Sequence, residues 1–362
     1  MKKTKLYIFH PYSRIGGADL SLSRLINNLD QRKYSITFIT LENPKINFYL
    51  KKKIKIHIIK KKRAIYSILK LRKIIQKNKN NFNKTILISN QHFANIISVI
   101  ALIKLSWIKL ILIERNNPIE LNYSNSFKDK IIKILIKITY RFSDEIISIS
   151  KELGKDLQKL CNKKVTTIYN ASFDKSILKQ ANKKIKKTNS KIILNVARFE
   201  KQKNHLMLLK SFKEVQKKMN VKLLLIGYGS EKKKILNYIN KNKLTKKVSL
   251  ISDTKNIFSY YKIANLFVLT SLYEGFGNVL VEAGTFKIPI ISTDCKSGPR
   301  EILNNGKYGD LVEVNNTKKL ANLIIKNLNY PNKDKISKMY KSLKIFNIKN
   351  HITKYEKIFK NI

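Results

Sequence analysis

A chain of 362 residues is long enough to bury two cores, and a single domain of that length is the less economical reading. Its 75 Lys and Arg against 23 Asp and Glu set a formal charge of +52, but the excess is mostly lysine, spread with Asn and Ile through nearly every segment as a coding bias would spread it. Arginine is sparse and scattered, which argues against a nucleic-acid reader built on clustered Arg and interleaved aromatics and leaves attraction to an anionic membrane surface.

The two cysteines, Cys161 and Cys295, lie far apart with no metal-ligand spacing and are expected to be reduced. The opening apolar run, residues 6–9, is too short for a signal peptide's core, so a cytoplasmic location is expected. Residues 96–113 are the most hydrophobic stretch, yet Lys104 and Lys109 interrupt it. No window reaches the roughly 18 uncharged apolar residues a membrane span requires, and the stretch reads as a helix followed by a buried strand.

In chain order, residues 5–9 form a first strand, and the loop leaving it carries a glycine pair, Gly16 and Gly17. A helix follows, with Leu20, Leu22, Leu25, Ile26 and Leu29 at near-helical spacing. The pair suits close approach of backbone to a ligand, although a tight turn would use the same residues. Strands are predicted over 35–40, 55–59, 85–89, 110–114, 145–150 and 165–168, and helices over 64–76, 93–105, 126–141 and 151–160. Such alternation predicts a parallel sheet covered on both faces, with ligands at the carboxyl ends of its strands. His10, Gly16, Gly17, His92 and Arg115 lie just past such ends.

Residues 1–174 are read as a first domain and the lysine-rich segment 175–190 as a linker. A second series then fills 191–330, with strands over 192–197, 222–226, 248–251, 266–269 and 289–292 and helices over 205–218, 231–240 and 257–262. Asn204 is a candidate N-cap, and the strand 222–226 ends in Gly227 and Gly229 around a tyrosine. Two helical stretches, 317–328 and 335–359, close the chain, and 331–362 is expected to pack back on the first domain.

Residues 272–284, LYEGFGNVLVEAG, organise the second half. They hold Glu274 and Glu282 around the turn Gly275-Phe276-Gly277, and the strand leading in predicts a helix starting near Gly277 or Asn278. The free N–H groups of Gly277, Asn278 and Val279 would point at an anion on the positive end of the helix dipole. Glu282 falls one turn inside that helix, on the face of Asn278. Carboxylates accept from vicinal hydroxyls, so Glu282 suits a ribose and Glu274 a sugar, with a diphosphate between them on the amides. On spacing alone, a loop with two solvated glutamates fits as well.

Arg198 and Lys203 share one loop after the strand 192–197, where two cations could hold a diphosphate and offset the charge it gains on leaving. In a lysine-rich chain two surface charges would look the same. His92, one of five histidines, stands at a strand end and is a candidate for substrate contact. There is no D-x-D motif and no His/Cys/Asp cluster with ligand spacing, so a metal-independent site without cofactor is expected.

The segments VARFEKQKNHLMLLKSF, LLLIGYGSE and LTSLYEGFGNVLVEAGTFKIPIISTDCKSGPREIL, in that order, resemble the donor domain of retaining glycosyltransferase family 4. The first half adds Ile15-Gly-Gly-Ala18, the loop at His92 and Ile168-Tyr-Asn170. The resemblance implies the GT-B fold, α/β, with two Rossmann-like doubly wound domains facing across a cleft. It also implies that Glu274 contacts the donor sugar, Glu282 the ribose, and Arg198 and Lys203 the diphosphate, with Gly16 and Gly17 closing over the phosphates. Gly227 and Gly229 join the donor-binding set. Asn204 stands where members often carry glycine, and Ser252-Asp253 replaces a small Gly-containing turn, which loosens the expectation for base recognition. The SGPRE form at 297–301 is similar to members that build bacterial surface polysaccharides, lipopolysaccharide or lipid-linked oligosaccharides.

The resulting expectation is a hexosyl or N-acetylhexosaminyl transferase that takes a nucleotide-sugar, UDP-linked, to a glycan or lipid-linked acceptor with retention. It would be cytoplasmic and peripheral to the inner face of the cell membrane. A nucleotide-sugar epimerase or phosphorylase of related fold, or a non-enzymatic basic protein on membrane or nucleic acid, are the alternatives.

Overall fold

The computed structural model describes residues 3–12, 16–51, 53–61, 63–77, 82–118, 127–182, 185, 189–252 and 256–362, apart from the side chains of Lys45 and Phe48. Ile15 of the glycine-pair motif, Ser126 as a helix start and Asp253 lie outside the described residues. The chain divides into two compact units, residues 1–171 with 348–362, and residues 172–347.

The first unit runs β1 (Thr4–Phe9), α1 (Gly17–Asn28), β2 (Tyr34–Thr40), β3 (Lys55–Ile58), α2 (Ile68–Gln76), β4 (Lys84–Asn90), α3 (His92–Leu102), β5 (Ile108–Glu114), α4 (Phe127–Thr139), β6 (Glu145–Ser148), α5 (Lys151–Cys161) and β7 (Thr166–Thr167). All its strand pairs are parallel, in the order β3-β2-β1-β4-β5-β6-β7. In β1 the last five residues are buried and in β5 all but one, because helices cover both faces. That double cover is why these strands read as apolar runs and not as alternating ones. Helix starts are set locally: the Ser150 side chain accepts from Leu153 N at 3.4 Å to cap α5, which ends on Asn162 at φ +48°.

The second unit runs α6 (Ser176–Gln180), β8 (Lys191–Val196), α7 (His205–Gln216), β9 (Val221–Ile226), α8 (Lys232–Lys241), β10 (Val248–Ile251), α9 (Phe258–Ile263), β11 (Leu266–Leu269), α10 (Asn278–Thr285), β12 (Ile290–Thr293), α11 (Pro299–Ile302), β13 (Asp310–Val312), α12 (Thr317–Asn329) and α13 (Lys333–Ser342). Its parallel sheet has the order β10-β9-β8-β11-β12-β13, over a core that includes Phe199, Leu208, Phe212, Leu223, Leu225 and Val268. Both sheets reverse direction of growth beside their first strand, at β1 and β4 and at β8 and β11. Chain leaving the carboxyl ends of those paired strands diverges, which opens a crevice for ligands in each unit.

The closing stretch 335–359 departs from a single helix. It splits into α13, a 3-10 turn over Leu343–Phe346, and α14 (Ile348–Asn361), which belongs to the first unit. No Pro or Gly marks the break. Tertiary contacts impose it: Leu343 and Phe346 are buried, and the Phe346 carbonyl accepts from Phe173 N at 3.0 Å.

Candidate functional site

In the second unit the loops after β8 and β11 are tied together. Leu272 N donates to the Gln202 carbonyl at 2.8 Å, Gln202 Nε2 returns a bond to the Tyr273 carbonyl at 2.8 Å, and Thr270 Oγ1 donates to the Lys203 carbonyl at 3.1 Å. This lacing brings Lys203 Nζ to 2.6 Å from Glu274 Oε1, an ion pair that is mostly buried. Ser271 Oγ donates to the same oxygen at 2.6 Å. Oε2 of Glu274 has no partner among the described residues and remains an acceptor. Burial, then the nearby Glu274, pushes the Cys295 thiol well above its usual range, so it is inert as a nucleophile.

Asn204 closes the β8 loop at φ +48°, ψ +46°, the left-handed conformation in which glycine is favoured and asparagine is the next best tolerated. The substitution of Asn for the glycine expected after Lys203 therefore preserves the turn. Arg198, earlier on this loop, is exposed, and its side chain has no hydrogen-bond or ionic partner among the described residues.

Past Glu274 the chain turns at Gly275 and Phe276 into Gly277, whose φ of +100° sets the start of α10 at Asn278. Phe276 is buried against Phe346, ring centroids 5.4 Å apart, and its carbonyl is braced by Gly298, where an added Cβ would lie 2.0 Å from that oxygen. The SGPRE segment thus packs directly against the turn through a position only glycine can fill. Arg300 of this segment pairs with Asp294, the residue that follows β12. Asn278 Oδ1 accepts from Ser172 Oγ at 2.6 Å, and Glu282, nearly buried one turn on, accepts from the Tyr261 hydroxyl at 3.0 Å.

Gly227 and Gly229 owe their identity to chain packing. A Cβ on Gly227 would meet the Ala197 carbonyl oxygen at 2.0 Å, and one on Gly229 the Phe199 carbonyl oxygen at 2.4 Å, so β9 can abut the β8 loop only through glycines.

The first unit places its candidates separately. Gly16 precedes α1 in extended backbone, φ −173°, and Gly17 is the helix's first residue. His92 opens α3 after Gln91 at φ +79°, with Nδ1 3.9 Å from Oε1 of the buried Glu114. Glu114 itself accepts from the Tyr140 hydroxyl at 2.6 Å and from Arg115 N at 2.9 Å. Arg115 and His10, though at strand ends, are internal: Arg115 donates to Asn90 Oδ1 at 2.5 Å and Asn170 Oδ1 at 2.9 Å, and Asn90 meets His10 Nδ1 at 3.0 Å.

Structure therefore brings Lys203, Glu274, the 275–279 turn and Glu282 to one end of the second sheet. Ser271, Gln202 and Tyr261 escaped the reading from sequence. A serine three residues before Glu274 was the only available signal; nothing local marks the other two. Among the described residues there is no group of three or more His, Cys, Asp or Glu arranged to hold a metal ion.

The description "Glycosyl transferases group 1" fits residues 176–344, and "Glycosyltransferase Family 4" fits residues 15–171. An uncharacterized glycosyltransferase of Methanocaldococcus jannaschii is 36% identical over 254 residues, 66% of this chain and 62% of that protein. An N-acetylgalactosamine-N,N'-diacetylbacillosaminyl-diphospho-undecaprenol 4-alpha-N-acetylgalactosaminyltransferase of Campylobacter jejuni is 33% identical over 211 residues, 58% of this chain and 57% of its own length. The chain thus spans less than two thirds of the length of these curated relatives. Anabaena HepE, solved in complex with UDP and glucose, superposes with a TM-score of 0.83 over 100% of both chains at 17% identity, which shows the fold. Two family models that together run from residue 15 to residue 344, relatives of the same kind and a shared two-Rossmann architecture lead to one conclusion: the chain belongs to the family 4 type of glycosyltransferases, on the GT-B fold.

Proposed function

We propose that the protein transfers a hexosyl or N-acetylhexosaminyl group from a UDP-sugar to a glycan or lipid-linked acceptor, with retention at the anomeric carbon, in the synthesis of a bacterial surface polysaccharide or oligosaccharide. The observation that carries the reading is the Lys203–Glu274 pair, 2.6 Å apart beside the start of α10. It sets a cation for a departing phosphate next to a carboxylate that keeps one oxygen for sugar hydroxyls. Glu282, anchored by Tyr261, takes the ribose. The amides of Gly277, Asn278 and Val279 take the diphosphate between, joined by the unpartnered Arg198. Gly16, Gly17 and His92 are assigned to substrate contact in the same proposal, and Gly227 and Gly229 to the donor-side wall.

In the step itself the acceptor hydroxyl attacks the anomeric carbon on the face the diphosphate leaves. The bond from carbon to phosphate oxygen breaks, and the hydroxyl proton passes to that oxygen. Arg198, Lys203 and the helix-end amides stabilise the charge on the leaving group, so no carboxylate nucleophile, metal or cofactor is required. UDP bound by Anabaena HepE supports the uridine donor, and the acceptor in the name of the Campylobacter jejuni relative supports a lipid-linked one. A lipid-linked acceptor would place the reaction at an anionic membrane surface on the cytoplasmic side.

The test is incubation with a panel of nucleotide-sugars, with and without lipid extract and in excess chelator. Release of nucleoside diphosphate with glycosylation of the extract is expected. Interconversion of donor sugars without release would favour an epimerase, and phosphate-dependent cleavage a phosphorylase. Turnover lost to the chelator and restored by magnesium would overturn the metal-free site.

A further inference from the structure

α4 carries two apolar faces. Ile132 and Ile136 are buried on one side, with Thr139 and Tyr140. On the other, Phe127, Ile131, Ile134 and Ile138 are 78%, 40%, 56% and 50% exposed, and Phe142 just beyond is 69% exposed. At about 100° per residue, positions 127, 131, 134 and 138 fall within an arc of about 60°, roughly opposite the buried face. Single exposed isoleucines are ordinary on a protein surface; five large apolar side chains in line are not. Lys128 flanks the stripe on one side and Lys130, Lys133 and Lys137 on the other, with Asp129 the only acid of the helix. Phe93 at the start of α3 extends it: Lys128 Nζ lies 5.7 Å from its ring centroid, and its ring packs on His92 at 4.5 Å. The stripe therefore begins beside His92.

We propose that this outward face of α4 docks the protein on an anionic bilayer, with the stripe at the acyl boundary and the lysines at the level of the lipid phosphates. The proposal rests on the membrane reading given above and names the surface that makes the contact; it uses nothing of the donor site. Charge complementarity selects the occupant. A second copy seated here would oppose one row of lysines to another in a chain of net charge +52, whereas anionic lipid meets both the apolar stripe and the cations. No helix among the described residues is long and apolar enough to cross a membrane, so this contact lies on the bilayer surface.

The test is co-sedimentation of the full chain with vesicles of phosphatidylcholine, alone or mixed with phosphatidylglycerol, while donor turnover is followed in solution. Binding is expected only with phosphatidylglycerol, fading as salt shortens the Debye length from about 8 Å to about 3 Å. The exposed triple variant I131S/I134S/I138S should lose binding by about tenfold or more. K128Q/K130Q/K133Q/K137Q should lose it as well, whereas K232Q/K233Q/K234Q/K241Q, which removes as many charges from α8, should keep it within about twofold. Equal loss in both lysine sets, wild-type binding by the isoleucine variant, or no binding at low salt would each overturn the proposal. So would a dimer in light scattering, without lipid, that the isoleucine variant abolishes. Failure of the transferase reading is seen separately: wild-type protein that binds vesicles but releases no nucleoside diphosphate keeps the docking face and loses the activity.

Discussion

The hydroxyl of Tyr261 holds Glu282 Oε2 at 3.0 Å from within an aromatic stack, with Phe267 and Phe286 nearly parallel to it at 5.7 and 5.5 Å. Burial, then the Glu282 charge, raises the phenol well above its usual range, so it stays a donor. Glu282→Ala should weaken nucleoside diphosphate binding by about ten- to a hundredfold through the loss of charge-assisted bonds. Tyr261→Phe keeps the stack and removes this one hydrogen bond to the carboxylate, and should cost about three- to tenfold. Calorimetry decides; unchanged binding by a folded Glu282→Ala protein removes the ribose assignment.

Lys203 should act on turnover more than on donor affinity. Lys203→Ala is expected to lower kcat by about a hundredfold or more, and Arg198→Ala similarly. Lys203→Ala also leaves the buried Glu274 carboxylate without its ion-pair partner, with only the Ser271 hydroxyl donating to it among the described residues, at about 3 kcal/mol. Arg198 is exposed and unpaired, so its removal should leave Tm unchanged. Full turnover by the Lys203→Ala protein across donor concentrations would reduce Lys203 to a structural partner of Glu274.

Asn204 tests the left-handed turn. Asn204→Gly should leave stability within about 0.5 kcal/mol, whereas Asn204→Val should destabilise by about 1–2 kcal/mol, because a branched side chain fits poorly at positive φ. Urea midpoints measure both. A neutral valine would show that the β8 loop adopts another conformation.

His205 opens α7, packed edge-on to Phe199 with centroids 5.1 Å apart, and neither ring nitrogen has a hydrogen-bond partner among the described residues. Burial, then the charge of Lys203, lowers its pKa from 6.5 to about 4. The unfolded chain therefore binds a proton that the folded one refuses. Stability is full above pH 6.5 and falls as pH drops from 6.5 toward 4, with a slope of about 1.4 kcal/mol per pH unit from this group. His205→Leu should flatten the wild-type decline in urea midpoint between pH 7 and 5; equal slopes would mean the ring is solvated.

Strand positions were legible because double burial writes them as short apolar runs: the strand expected at 289–292 appears at Ile290–Thr293. Sheet order was not, and the site depends on it. Lys203 and Glu274 could each be recognised as a charge past a strand end, but their 2.6 Å contact needs β8 and β11 to be neighbours. Tyr261 looked like any aromatic in the helix at 257–262, since its partner lies 21 residues away. The isoleucines of α4 illustrate the same limit: periodicity showed that the helix is amphipathic, and only its place on the sheet separates buried Ile132 and Ile136 from exposed Ile131, Ile134 and Ile138.

The return of α14 to the first unit has a consequence for synthesis. Residues 172–347 form one uninterrupted stretch and can fold as soon as they leave the ribosome, whereas the first unit must wait for residues 348–362. Until then Tyr34 lacks Phe359, whose ring it meets at 5.6 Å, Lys84 lacks the Phe359 carbonyl at 3.0 Å, and the Tyr169 carbonyl lacks His351 Nδ1 at 2.8 Å. The half of the chain translated first is thus the half completed last, since its α14 seat stays open until residues 348–362 have been made.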